Sequence, residues 1–246
     1  MRYLIATAAT AALLISGGAL ATPLSGLYNT GAVVNSNGTD ANYTVSSSAS
    51  YTNGTALNLV NANTYVAGPG TYIASTGNPT GASGQWISAG NSTASSWITP
   101  LTPTDTSLDP TKDGIYTYQT TFSITSNQKL STATLSGRWA ADNYGYITLN
   151  GNVIASITNP RTTNQSDGVA YDSWNAIAAV VNSDFKYGTN TLDFVVTNIA
   201  QTSGNPTGLR AEFTSSISPV PEPTEGALLL SGIGLLGFVA ARRKSV

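Results

Sequence analysis

Ile115-Tyr116-Thr117-Tyr118-Gln119-Thr120-Thr121-Phe122-Ser123-Ile124 decides the fold class. The run is dominated by β-branched and aromatic residues, and its even positions (Tyr116, Tyr118, Thr120, Phe122, Ile124) form the richer apolar face. Period-two alternation of this kind is the mark of a strand with one buried side. The pattern continues outward from there. Ala133, Leu135, Gly137, Trp139 and Ala141 share one face, while Thr132, Thr134, Ser136 and Arg138 share the other. Trp139 on this apolar face reads as core packing, with a sugar-binding platform as the alternative. Asp142-Asn143 reads as a turn, and 144–150 as a returning strand with Ile147 and Leu149 inward. Asn150-Gly151 is the preferred two-residue hairpin turn, since both central positions need positive φ. A strand over 153–157 then completes a meander. Residues 191–199 and 207–217 alternate in the same way, through Leu192, Phe194 and Val196, and then through Leu209, Ala211 and Phe213 against Arg210 and Glu212. Residues 174–181 are ambiguous between strand and short helix. Antiparallel strands at this spacing, joined by Gly and Asn turns, predict an all-β antiparallel sandwich.

Before residue 114 the pattern is weaker. Residues 22–84 are rich in Asn, Thr, Ser, Ala and Gly, with short apolar pieces at 32–34, 57–60 and 71–73 and turn signals such as Asn37-Gly38 and Asn53-Gly54. They read as loops and short strands on the outside of the fold. Trp86-Ile87 and Trp97-Ile98 flank a polar stretch, and 99–113 carries three prolines with turn chemistry. The expected organisation is a 22–219 β-domain, loop-rich over 22–113 and with core strands over 114–217.

Composition excludes whole classes of chemistry. The chain has no histidine and no cysteine. A Ser-His-Asp triad, a Cys-His pair and His- or Cys-ligated metals are therefore ruled out. Carboxylate acid/base work, a Ser-Lys nucleophile or an oxygen-ligated hard cation remain open. Residues 22–219 hold six basic and ten acidic side chains, a net charge of −4, with no basic cluster. Nucleic acid is not an expected partner. Surface polarity rests instead on Ser, Thr and Asn, which suits contact with polysaccharide.

The two ends carry targeting signals. Met1-Arg2-Tyr3 gives a short positive start, 4–20 is apolar and small, and Ala19-Leu20-Ala21 is an A-x-A site. Residues 1–21 read as a secretory signal peptide in a helix, cut by signal peptidase after Ala21; a permanent membrane anchor is the competing reading. At the other end Pro221-Glu222-Pro223 forces extended backbone. Residues 226–241 then carry no charge, and Arg242-Arg243-Lys244 closes the segment. As a helix the apolar run spans roughly 24 Å, just short of a ~30 Å hydrocarbon core, with the basic end favouring the cytoplasmic side. In its order and spacing, 220–244 resembles the PEP-CTERM sorting signal: Pro-Glu-Pro, a short hydrophobic helix and an Arg-rich end. That resemblance implies an exosortase-type membrane protease as partner and a membrane-anchored precursor held by the C-terminal helix. It also implies cleavage near Pro221-Glu222-Pro223, final delivery to the cell envelope or extracellular matrix, and a bacterium that makes exopolysaccharide.

A second resemblance covers about 116–213. Ser136-Gly137-Arg138-Trp139-Ala140-Ala141-Asp142-Asn143, Ile147-Thr148-Leu149-Asn150-Gly151 and residues 185–194 look like galactose-binding-like jelly-roll domains. The resemblance implies core-sheet strands here, a ligand on loops at one end of the sandwich and a structural calcium near its edge. The family's calcium ligands cannot be placed on this chain residue by residue. From the residues themselves, Tyr144 and Tyr146 could stack on a pyranose ring, with Asp142, Asn143 and Arg138 as hydrogen-bond partners. An ordinary outer-face aromatic pair is the plain alternative. Trp174, beside Asp172 in a polar loop, is a second platform. Asp105, Asp109 and Asp113 recur every four residues and could converge on calcium, against a solvated turn. No other cofactor is expected.

These observations add up to an exported, non-catalytic protein that associates with carbohydrate or exopolysaccharide. A purely structural surface or matrix component, and a carboxylate-dependent glycan-active enzyme, are the other two readings.

Overall fold

One antiparallel sheet of ten strands folds back on itself to make the Ala21–Ser218 unit. The computed structural model describes residues 20–48, 50–52, 55–67, 86–87, 94–102, 108–158, 171–181, 184–202, 204–220 and 229–237. Within them lie β1 (Thr39–Ser48), β2 (Ser50–Thr52), β3 (Thr55–Leu57), β4 (Ala62–Ala67), β5 (Trp97–Thr99) and β6 (Gly114–Ile124). There follow β7 (Thr134–Asp142), β8 (Tyr144–Leu149), β9 (Asn152–Ile157), β10 (Asn175–Val181), β11 (Gly188–Asn198) and β12 (Gly208–Ser216). The large sheet has the order β10-β7-β12-β5-β4-β1-β6-β11-β8-β9, and β2 pairs with β3 as a separate ribbon. The order divides into two facing halves, β10-β7-β12-β5-β4 and β1-β6-β11-β8-β9, and its two ends, β10 and β9, also approach one another. The result is an antiparallel sandwich close to a barrel.

The alternation built this arrangement. Tyr116, Tyr118, Phe122 and Ile124 of β6 are buried, as are Leu135, Trp139 and Ala141 of β7 and Leu192, Phe194 and Val196 of β11. Phe194 packs across the sandwich, with its ring centroid 6.1 Å from those of Trp139 and Phe213 and 6.5 Å from that of Tyr43. Trp139 is therefore a core residue. Full burial of such side chains, at about 1.5–3 kcal/mol each, is what holds together a chain without disulfides. The ends of this unit, Ala21–Ser218, are tied by a reciprocal bridge. Thr22 N donates to Ile217 O at 2.9 Å, and Ile217 N to Thr22 O at 2.8 Å.

The predicted hairpin is present. Leu149 pairs with Asn152 across a two-residue turn in which Asn150 has φ 52° and Gly151 φ 90°. The Asn150 side chain also accepts from Thr191 N and donates to Asp184 O, so the turn is anchored to β11 and the segment before it.

Four expectations change. Residues 22–84 are not all peripheral: β1 lies mid-sheet between β4 and β6, with Tyr43 and Val45 in the core. Its outward residues are small or polar, Ala41, Asn42, Thr44, Ser46 and Ser48, which hid it. Asp142-Asn143, joined by a cis peptide bond, is not a hairpin turn. β7 pairs with β10 and β12, β8 with β9 and β11, so the chain crosses there from one half to the other and no three-strand meander forms. The ambiguous 174–181 segment becomes the edge strand β10. The apolar piece at 32–34 forms no strand, with Val33 and Val34 exposed, and 71–73 lies outside the described residues.

In the second unit the described element is a helix over 229–237. At ~1.5 Å per residue it is roughly 13 Å long. Among the described residues no helix is long and apolar enough to cross a membrane.

Candidate functional site

The two halves of the sandwich present very different outer surfaces. On the β7–β12–β5 half, the side chains that alternate away from the core are Arg138, Ala140 and Asp142, in register with Glu212, Arg210 and Gly208. A second apolar layer covers them: Trp86, Ile87, Trp97 and Ala67 cluster on Ala140, with Tyr171 and Trp174 packed against it. Trp86 and Trp97 stack at 4.3 Å between centroids and 27° between planes. Glycine at 208 makes room for this, because a Cβ there would stand 2.8 Å from Cη2 of Trp86.

Polar groups thread this layer. Asp142 is 5% exposed, and its Oδ2 accepts a 2.8 Å bond from Trp86 Nε1. Burial pushes its carboxyl up to about 7, against the downward pull of that bond. The Thr207 hydroxyl donates to the Asp142 carbonyl. Arg210 is 1% exposed and spends its guanidinium on neutral acceptors: Nε on Ser95 Oγ at 2.9 Å, Nη1 on Ile87 O at 3.0 Å and Nη2 on Ser95 O at 2.9 Å. Burial lowers its pKa and Glu212 opposes that shift. Glu212 in turn accepts from Ser95 Oγ at 2.7 Å and from Arg138 Nε at 2.8 Å. Arg138 and Arg210 both lie over the Trp174 ring, their Cζ atoms 4.4 and 5.1 Å from its centroid. Among the described residues the Trp174 indole N–H is buried without a hydrogen-bond partner. At the rim, the Arg138 side chain is 40% exposed.

The other half is plainer. Tyr144 and Tyr146 project from the same side of β8, opposite buried Ile147 and Leu149, and Tyr146 is 42% exposed. They sit beside Thr197 and Val195 of β11.

The structure thus divides the predicted carbohydrate-binding set. Arg138 and Trp174 come together on one outer face, and Tyr144 and Tyr146 stand on the other. Asp142 and Asn143 lie at the crossover between halves, both buried, with Asn143 Oδ1 accepting from Ile199 N at 2.7 Å. Of the three candidate calcium ligands, Asp105 lies outside the described residues. Asp109 is fully buried, and its carboxylate accepts from Tyr51 N, Tyr116 Oη and Asn198 Nδ2 at 2.8–2.9 Å. Asp113 Oδ1 accepts from Ala200 N. These carboxylates tie β6, β11 and the loop before β6 together, and no metal-holding group of acidic side chains occurs among the described residues. Trp86, Trp97, Ser95, Arg210 and Glu212 were given no role from sequence. The two tryptophans flanking a Ser/Asn-rich stretch were the available signal.

The tail matches a known model over residues 219–244. It is a PEP-CTERM protein-sorting motif. Pro221, Glu222, Pro223, Arg242, Arg243 and Lys244 fall within the matched span and outside the described residues. A PEP-CTERM motif implies an exported protein that an exosortase processes at the envelope. No curated protein matches the chain. Among solved structures, the PA14 domain of the MpAFP antifreeze protein is similar at 17% identity and TM-score 0.28, over 46% of each chain. The PA14 sugar-binding domain from an RTX adhesin is similar at 16% and 0.26, over 43% of this chain and 48% of that one. A β-glucosidase from Kluyveromyces marxianus is similar at 11% and 0.35, over 80% of this chain and 20% of that one. This chain therefore spans about half the length of the PA14 chains it matches, and a fifth of the glucosidase.

Proposed function

We propose that this is a non-catalytic β-sandwich protein which its tail directs to the cell envelope or extracellular matrix, where it associates with carbohydrate. In this reading residues 1–21 are removed by signal peptidase, 220–246 hold a membrane-anchored precursor, and an exosortase-type protease releases 22–219 by cutting near Pro221-Glu222-Pro223. The observation that carries the glycan reading is the aromatic pair on β8. Tyr146 presents close to half its surface to solvent on a strand whose opposite side is fully buried, so its ring is available where the core has no use for it. Tyrosine suits that role, joining an apolar ring face to a hydroxyl that can donate and accept. A panel of immobilised glycans probed with the full-length protein tests the reading. Retention on at least one polysaccharide is expected, and retention on none favours the purely structural component.

One observation favours an enzyme as second reading: a buried carboxyl held near pH 7 is what general acid catalysis requires. Turnover of oligosaccharides that disappears in Asp142→Asn would establish it. On the reading proposed, neither protein turns them over.

A further inference from the structure

Building on the glycan reading, we infer that the outer face of the β1-β6-β11-β8-β9 half takes a neutral polysaccharide chain, bound as an extended polymer. Three observations converge on it. The first is charge. Across β6, β8, β9, β11 and positions 44–48 of β1 the only charged side chain is Asp193, and its Oδ1 accepts a 2.8 Å bond from Gln119 Nε2. No Lys or Arg stands on these strands, inside a domain that is already net negative. An anionic polymer meets repulsion and no counter-charge there, whereas an uncharged polyol meets none.

The second observation is register. Ser46 pairs with Thr117, Thr117 with Val195, Val195 with Tyr146 and Tyr146 with Ser156, so one continuous row crosses all five strands. Strands ~4.8 Å apart make that row roughly 19 Å long. It carries the hydroxyls of Ser46, Thr117 and Ser156, the first of them accepting from Asn61 N, together with the Val195 side chain and the exposed Tyr146 ring with its own hydroxyl. Gln119 and Asp193 flank it in one neighbouring row, Thr197 and Tyr144 in the other. Hydroxyl and amide groups that both donate and accept are the complement of a chain of sugar hydroxyls.

The third is that the site is the outer face of a sheet. Small ligands are held in concave sites that enclose most of their surface. A sheet face offers shallow contacts, and these sum to useful affinity only when a repeating ligand makes many at once. The face is built for a polymer, not for a monosaccharide.

The test is co-sedimentation of the full-length protein with microcrystalline cellulose, curdlan and immobilised dextran (neutral) and with covalently cross-linked, calcium-free alginate beads (anionic). Tyr146→Ala, Thr117→Lys and Trp174→Ala are run beside the wild type, each checked for native fold by circular dichroism. The inference expects retention on a neutral polymer that survives high salt and is not displaced by free glucose. Losing the Tyr146 ring weakens it about tenfold. Thr117→Lys does not improve retention on the neutral polymer, and Trp174→Ala leaves it unchanged. Retention on alginate alone, displacement by glucose, or loss in Trp174→Ala with Tyr146→Ala unaffected overturns the inference while the glycan reading stands. Retention on none of the polymers overturns both.

Discussion

The sandwich has two outer faces that solve the same problem in opposite ways. The β7–β12–β5 face is covered: stacked tryptophans close over Asp142 and Arg210, every charge is tied to a named partner, and Arg138 and Trp174 remain at the rim. The β6–β11–β8 face is open and nearly uncharged, its polarity carried by hydroxyls and amides around Tyr144 and Tyr146. A covered polar cluster is specific and costly to disturb, since a buried charge stripped of its partners keeps its desolvation penalty. An open neutral face contributes little to stability, so its composition is free to follow binding. On these two faces, charge is tied into the fold, and the uncharged side chains are the ones that the proposed glycan contact would use.

The largest effect should come from the covered face. Arg210→Ala removes its hydrogen bonds to Ser95 and Ile87, strands the Ser95 carbonyl and takes one of the two cations from Trp174. A loss of about 3–5 kcal/mol in urea unfolding is expected. Val195→Ala on the open face should cost under about 1 kcal/mol. Equal costs for the two would erase the contrast.

Nearly as large is the pH effect of Asp142. Its folded pKa of about 7 stands above the ordinary 3.8, so the folded state holds a proton that the unfolded chain releases. The stability this gives is complete below about pH 4 and is lost as pH rises to about 7 and beyond, by roughly 4 kcal/mol in all. Unfolding measured from pH 4 to pH 8 should show the decline in wild type and a much smaller one in Asp142→Asn, where Asp40 and Asp109, also raised by burial, still contribute. A wild-type profile flat over that window contradicts the burial assigned to this carboxyl.

How much of this could be read beforehand depends on the range of each interaction. The alternation in β6, β7, β11 and β12, the burial of Trp139 and the Asn150-Gly151 turn are local patterns and were legible. Pairing partners are not local: nothing in Asp142-Asn143 says that the strands on either side join opposite halves. The Thr- and Ser-rich 39–48 segment gave no sign that it lies mid-sheet, because only Tyr43 and Val45 mark its inward side. The covered cluster draws on positions 86, 95, 97, 142, 174, 210 and 212, which no window could have assembled. Tyr144 and Tyr146 were found from parity alone, yet grouping them with Asp142 and Arg138 assumed a hairpin that does not form.

Two smaller effects sharpen the contrast. Trp174→Ala should cost about 1–2 kcal/mol, through lost contact with two guanidinium groups, and leave glycan retention intact. Tyr146→Ala should do the reverse, costing roughly 0.2–1 kcal/mol of stability while abolishing most retention. Denaturant unfolding and co-sedimentation on the same samples separate the two.

Whether the neutral face meets a glycan is decided by oxidative surface footprinting of the full-length protein, read out by mass spectrometry with and without a neutral polysaccharide. Protection of Tyr146 with Trp174 unchanged is the predicted result. Protection of Trp174 with Tyr146 as reactive as in the free protein would put the contact on the covered half instead.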